Sequence, residues 1–489
     1  MKPARFTGVL LAAMVCFAAS GFAGSVLDEA GQLEANGKFT RAEAVLQTSL
    51  TQAGTNADER GKLEFAADRL ERIRLDYPFT REALFAKLQK SVRDVSQQEF
   101  EQWIAEKRFD VRVIDGQERF MGSSVANLFW RYPELNPRRT PPKDESFQIP
   151  LWQTSHDIRE AAAQGHPYVL PKDFDVTMTV KLDAGVVKPG EMVRAWLPVA
   201  RRYEYQDAGQ IISSSSPVKE LAPETSAIRS AYLEQPAASN APTVFTLHYH
   251  YATRGVWFDV NPDRVAAFDG KDAGIAKFTN EVAHVTFTPA MRELSEKIVG
   301  GEKNPARVAK KIYEWIGTNI QYSFATEYST IPNISEYCRE QRYGDCGEAA
   351  LLYITLCRLN GIPARWQTGW DTFPGAEDIH DWTEIYLAPY GWVPVDPFMS
   401  IFATQYADKL TPEQKGELRN FYFGGRNQWR MAANADHEQA LSPAKRGFRS
   451  DDVDFQRGEL EAGGTNIYFN HYHYAFEVKE AAKQVNHLK

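Results

Sequence analysis

Apolar residues follow three successive rhythms along this 489-residue chain. From about Val26 to Leu135 they recur at the three-to-four-residue spacing of amphipathic helices. "GKFTRAEAVLQTSL" sets Ala42, Val45, Leu46, Ser49 and Leu50 along one stripe, and Asn36-Gly37 ahead of it marks a turn. "SQQEFEQWIAEKRF" opens with Ser96 and Glu99 at capping-box spacing, before Phe100, Trp103 and Ile104. No second copy follows at a fixed period, so a repeat array is not predicted. "PELNPRRTPPKDESFQIP", from Pro133 to Pro150, is Pro-rich and charged and reads as a linker or extended strap.

From Asp173 to about Val260 the period changes to two. "FDVTMTVKL" and "VFTLHYHYATRGVWFDV" alternate and are rich in β-branched and aromatic residues, which predicts an antiparallel β-sandwich. The tracts "SSSSP" (Ser213 to Pro217) and "EQPAASNAPT" (Glu234 to Thr243) read as its loops. His248 and His250 share one strand face, where two polar residues on a solvated surface are expected rather than a metal pair. The helical rhythm returns at Thr288, with Val308, Ile312, Trp315, Ile316 and Ile320 on one face. Beyond Ser400, "FYFGGRNQWRMAANAD" and "GTNIYFNHYHYAFEVK" predict further strands, the second near the end of the chain.

A hydrophobic content of 43% and a charged content of 25% are ordinary globular values. The length calls for about two to four domains. Lys2 and Arg5 precede the apolar run Val9 to Ala19, with Gly21 and Ala23 behind it, which is the pattern of a secretory signal cleaved near Ala23. The product is expected to be secreted or periplasmic, with no transmembrane segment. Loss of those two basic residues would move the net charge from −8 to −10, and an acidic chain is a poor partner for nucleic acid. Of four cysteines, Cys338, Cys346 and Cys357 would remain, an odd number with no C-x-x-C pair. A disulfide scaffold and a structural zinc site are therefore not expected, and neither a metal nor a cofactor is predicted.

The chemistry gathers around "YGDCGEAALLYITLCRLNGIPAR". Ala349, Leu352, Tyr353, Leu356 and Leu359 follow Cys346 at helical spacing, and Gly361 with Pro363 ends the run, so Cys346 sits at a helix N-terminus. Free backbone N–H groups and the helix dipole favour a thiolate there, and the N–H of Cys346 itself can meet an oxyanion. Asp345 and Glu348 oppose the thiolate. A cationic partner would settle the conflict, leaving a thiol that titrates below an ordinary cysteine and is the most reactive in the chain.

"IHDWTEIYLAPYGWVPVDPF" reads as a β-hairpin. With a three-residue loop at Ala388 to Tyr390 and Gly391 in a bulge, Asp396 falls opposite Trp382 and within reach of His380. A four-residue loop would turn it away. Cys346 as nucleophile, His380 as general base and acid, and Asp396 as orienter make an acyl-transfer triad. Cys357 lies three turns along the helix, roughly 16 Å from Cys346, and cannot pair with it. A Cys338–Cys357 bridge stays open, as does an inactivating Cys338–Cys346 bridge.

These blocks together resemble the transglutaminase-like superfamily: a Cys opening a helix that ends in G-I-P-A-R, then "HDWTEIYL", then "GWVPVDPF". The likeness covers roughly residues 278 to 400, extending toward 436. It implies an α+β fold with a papain-like core, and the triad Cys346, His380 and Asp396. Tyr322 and Gln341 are its oxyanion candidates, and Trp366 and Trp382 its candidate cleft walls. The organisation expected is a helical domain and linker over 24–150, an antiparallel β-rich domain over 171–270, a catalytic domain over 278–436 and an extension with a terminal strand over 437–489. The activity implied is cleavage or transfer of amide acyl groups from protein, peptide or cell-wall substrates, with hydrolysis favoured. An amine-transferring cross-linker and a non-catalytic binding or assembly protein are the alternatives. The helical first domain reads as a partner surface.

Overall fold

The computed structural model describes residues 24–52 and 56–481, so the expected signal at 1–23 lies outside the described residues. The chain divides into two compact units, residues 1–143 and 144–489.

In the first unit, residues 24–35 and the helices Phe39–Leu50 and Ala57–Asp76 bury Phe39, Ala42, Leu46, Leu63, Leu70 and Ile73 together. The stripe expected on Phe39–Leu50 faces inward at Ala42, Leu46 and Ser49. A second core joins Leu84, Leu88, Phe100, Trp103, Phe120 and Leu128. The Ser96 hydroxyl accepts the Glu99 N–H at 3.1 Å, and the Glu99 carboxylate takes a two-pronged Arg138 guanidinium at 2.5 and 2.8 Å. The helical run is interrupted by a hairpin, Val111–Ile114 with Gln117–Phe120, that the apolar rhythm did not predict. Its signal was the Asp115-Gly116 pair, both at positive φ, which is the turn chemistry of a two-residue hairpin loop. The Pro-rich tract forms a 3-10 helix over Pro133–Arg138, and its end already belongs to a helix, Gln148–Ala162.

In the second unit, the β-rich segment forms two five-stranded sheets. Tyr168–Leu182 pairs with Thr243–Trp257 on one side and with Tyr472–Glu480 on the other. Met192–Pro198 pairs with Ser230–Pro236 and with Glu459–Ala462. The strands near the end of the chain are thus integral to the sandwich rather than an appendage. Alternation delivers Val176, Met178, Val180, Leu197, Leu233 and Leu247 to the shared interior. The serine tract read as a loop is partly a strand, Gln210–Ser214, because it follows the edge of Thr243–Trp257.

The third sheet runs Gly391–Val395, Asp378–Leu387, Ala364–Asp371, Arg430–Asn434, all antiparallel. The helix Cys346–Leu359 packs on it and is buried nearly all round, which is why its sequence is apolar on every face. The helices Pro305–Asn319 and Pro397–Gln405 enclose it further. Trp370, on the third sheet, stacks on Phe476 of the last strand with ring centres 4.5 Å apart. The α+β class follows, with a helix-and-sheet core set against a β-sandwich.

Candidate active site

Cys346 is the first residue of its helix, and Asp345 is the N-cap. The Asp345 carboxylate accepts the Glu348 N–H at 3.0 Å, and Glu348 returns a carboxylate oxygen to the Asp345 N–H at 3.0 Å. This reciprocal cap fixes the entry angle of the chain and so the position of the thiol. The Tyr328 hydroxyl donates to the same Asp345 oxygen at 2.7 Å, tying the cap to the preceding loop.

The hairpin after the helix has the three-residue loop. Leu387 pairs with Gly391, which has a φ of +82°, and Thr383 pairs with Val395. That register sets Asp396 beside His380, and His380 Nε2 lies 2.9 Å from Asp396 Oδ2. Asp396 precedes Pro397, which biases it toward an extended backbone, and Pro397 opens the next helix. Asp396 is therefore also an N-cap, its Oδ1 accepting the Met399 N–H at 3.1 Å.

The sequence reading missed a third partner. The buried Arg430 guanidinium donates to the same Oδ2 that meets His380, and its Nε lies 3.6 Å from Asp371. Burial pushes the Asp396 carboxyl up, but Arg430 and then His380 outweigh it and hold the group at about 2. Asp396 is thus a carboxylate at any ordinary pH. The His380 ring stacks on Trp382 and meets Phe398 edge-on, which fixes its plane. With Nε2 committed to Asp396, Nδ1 is the ring nitrogen left for a substrate or thiol.

Cys346 is half-buried in the wall of an open cleft of about 160 Å³. Its Sγ contacts Asp381 Oδ2 at 3.6 Å, and no hydrogen bond joins it to His380. Burial pushes the Cys346 thiol well up, and the Asp381, Asp345 and Asp378 carboxylates add to the rise, while the Asp381 backbone N–H pulls the other way. This corrects the expectation of a low-titrating thiol, because the carboxylate beside the sulfur comes from a strand that the helix-mouth argument did not include. Seven carboxyl side chains line the cleft, against one basic residue, Arg457. Several come from the segment after Ser450, and Arg457 is held by Glu327 at 3.0 Å and Asp451 at 3.1 Å.

The other predicted residues divide. Tyr322 lines the cleft with Cys346. Gln341 is exposed at the end of the helix Ile334–Gln341 and lies outside the cleft lining. Trp366 is fully buried beside His437, and Trp382 is buried under His380 with the Arg430 guanidinium over its ring; neither lines the cleft. Cys338, Cys346 and Cys357 are all free. Among the described residues no cluster of three metal-ligating side chains occurs, and no helix is long and apolar enough to cross a membrane. Arg430, Asp381 and Gln456 left no local signal, since each reaches the site from a strand or loop distant in sequence or points opposite to its motif neighbour.

Residues 292–397 match the model of the transglutaminase-like superfamily. An uncharacterised protein, YebA, of Bacillus subtilis (strain 168) is 26% identical over 126 residues, covering 22% of this chain and 17% of that protein. An uncharacterised protein of Haemophilus influenzae is 24% identical over 164 residues, 29% of this chain and 44% of that one. The chain therefore matches less than half the length of these curated relatives. Among solved structures, a candidate cysteine protease of Cytophaga hutchinsonii aligns with a TM-score of 0.41 at 16% identity, over 65% of this chain and 94% of that one. The periplasmic domain of TgpA from Pseudomonas aeruginosa aligns at 0.27 and 14%, over 53% and 96%.

Proposed function

From a chain whose residues 292–397 form a transglutaminase-like domain, we propose a cysteine enzyme that cleaves or transfers amide acyl groups through a thioester. The observation that carries this reading is the His380 Nε2 to Asp396 Oδ2 bond, 2.9 Å, on the strand against which a helix-opening cysteine packs. Nδ1 of His380 takes the proton from Cys346 Sγ as the sulfur attacks the amide carbon. The same proton then passes to the leaving nitrogen, and the amine departs. The Cys346 backbone N–H, free at the helix start, meets the developing oxyanion, and Tyr322 stands in the same cleft as a second donor. Water then attacks the thioester, with His380 as its base. Asp396 holds the imidazole's tautomer and plane throughout.

Hydrolysis is favoured over amine transfer because water is the most abundant acceptor in an open cleft. The substrate class is a protein, peptide or cell-wall amide. The product acts outside the cytoplasm, with the first 23 residues removed, and the helical first unit supplies a partner surface.

The test incubates protein with peptide amides and a labelled primary amine, then looks for a thioester on Cys346 by mass spectrometry. Released acid with no incorporated label supports hydrolysis; incorporated label supports transfer. An unmodified Cys346 with neither released acid nor incorporated label would reject the enzyme reading and leave a binding protein; turnover unchanged in Cys346→Ala would reject Cys346 as the nucleophile. N-terminal sequencing of secreted material checks the cleavage at Ala23.

A further inference from the structure

The carboxylate nearest the proposed nucleophile belongs to the residue after His380. Neighbouring strand residues point to opposite faces, and here His380 turns to Asp396 while Asp381 turns to Cys346. His380 is committed to Asp396. Asp381 is 2% exposed, and its two oxygens have separate duties. Oδ1 accepts Gln456 Nε2 at 2.9 Å, while Oδ2 faces Cys346 Sγ at 3.6 Å. Gln456 is itself buried, and its amide also donates to Thr368 Oγ1 at 2.7 Å, so the carboxylate is held from behind. On the helix side, a Cβ added to Gly347 would lie 2.9 Å from Asp381 Oδ2 and would collide with the Tyr328 hydroxyl. Only glycine after the cysteine leaves room for this carboxylate.

We propose that Asp381 is a positioning residue for Cys346: its carboxylate, anchored by Gln456, accepts a hydrogen bond from the Cys346 thiol and keeps the nucleophile protonated until substrate breaks that contact. The proton on Sγ then turns to His380 Nδ1 as the S–C bond forms. Other charged groups around the pair set the background. Asp345 caps the cysteine's own helix. Asp378 and His380 share the Asp381 strand. Tyr322, Glu327 and Tyr328 come from the preceding loop. Asp451, Asp454 and Arg457 come from the segment after Ser450. Burial is the largest cause raising the Cys346 thiol, and the Asp381 carboxylate is the next.

This inference deepens the proposed reaction and rests on it only for its catalytic consequence, because thiol ionisation is measurable without turnover. The experiment follows iodoacetamide alkylation of Cys346 against pH in the full chain, mapped by peptide mass, for the parent, Asp381→Asn, Asp381→Ala and His380→Ala. The expected result is a midpoint lowered by at least about one pH unit in both Asp381 variants, seen as roughly tenfold faster alkylation below the midpoint. A midpoint that stays or rises in both overturns the proposal. Asp381→Ala keeps the test alive if the Asn variant does not fold. A lowered midpoint together with unaltered turnover in His380→Ala would uphold Asp381 and reject the triad, so the two failures are distinguishable.

Discussion

Asp396 answers to three groups at once: a helix N–H on one oxygen, and His380 with Arg430 on the other. Replacing it with Asn keeps the cap but removes the charge that faces Arg430. Acyl transfer should fall by about three to four orders of magnitude, as for a lost orienter. Stability should fall as well, by about 3 kcal/mol, because the Arg430 charge stays buried with only Asp371 nearby. Chemical denaturation alongside turnover checks both; a full-activity variant would remove Asp396 from the triad. The same carboxyl makes the fold acid-sensitive. It is depressed from an ordinary 3.8 to about 2, so its contribution is fully present above roughly pH 4 and is lost as pH falls through about 2. The size is on the order of 2 kcal/mol. Denaturation at pH 5 and pH 2 should show that loss in the parent and not in Asp396→Asn.

At the level of elements, the site depends on the edge where Arg430–Asn434 joins Ala364–Asp371. The pairing shifts register at Thr368 and Gly369, and a Cβ on Gly369 would overlap the Met431 carbonyl. Gly369→Ala should therefore push the edge strand away and withdraw Arg430 from Asp396. The expected loss is about 3 kcal/mol or more, with acyl transfer falling together with it, measured by thermal melting and turnover. The helix that Cys346 opens is braced differently, by the Asp345–Glu348 cap. Asp345→Asn preserves a capping oxygen and should cost only a few tenths of a kcal/mol while removing one charge near the thiol. Cys346 should then alkylate faster at neutral pH, by a smaller factor than in the Asp381 variants.

For the whole molecule, the order of the chain is not the order of its parts. Glu459–Ala462 and Tyr472–Glu480 complete the sandwich begun some 280 residues earlier, and Gln456 reaches the thiol's neighbour on the way. Truncation before residue 437 should therefore give insoluble protein rather than a trimmed, folded chain, whereas cleavage near Lys143 should leave each unit folded. Size exclusion after limited proteolysis distinguishes these outcomes. The acidic cleft sets a further expectation: peptides with Lys or Arg beside the reacting amide should turn over faster than Asp- or Glu-flanked ones, and the gap should narrow as salt is added. Equal rates at low salt would separate the cleft from substrate selection.

Local rules made several features readable in the chain. The Cys346 helix start follows from apolar spacing and the hairpin from its turn residues, but whether its loop held three residues or four stayed open, and the structure decided the register that brings Asp396 to His380. The short Asp115-Gly116 hairpin was written in turn chemistry but hidden by the helical rhythm around it. What the tertiary structure decided is electrostatic and long-range. Arg430 on Asp396 and Asp381 on Cys346 arise where separate strands and a helix mouth converge, and neither pairing has a periodic signature. The thiol's environment follows the same division: the helix dipole and the opposing Asp345 are both legible beside Cys346 in the sequence, but burial and the Asp381 carboxylate, which only packing brings to the sulfur, push the thiol up.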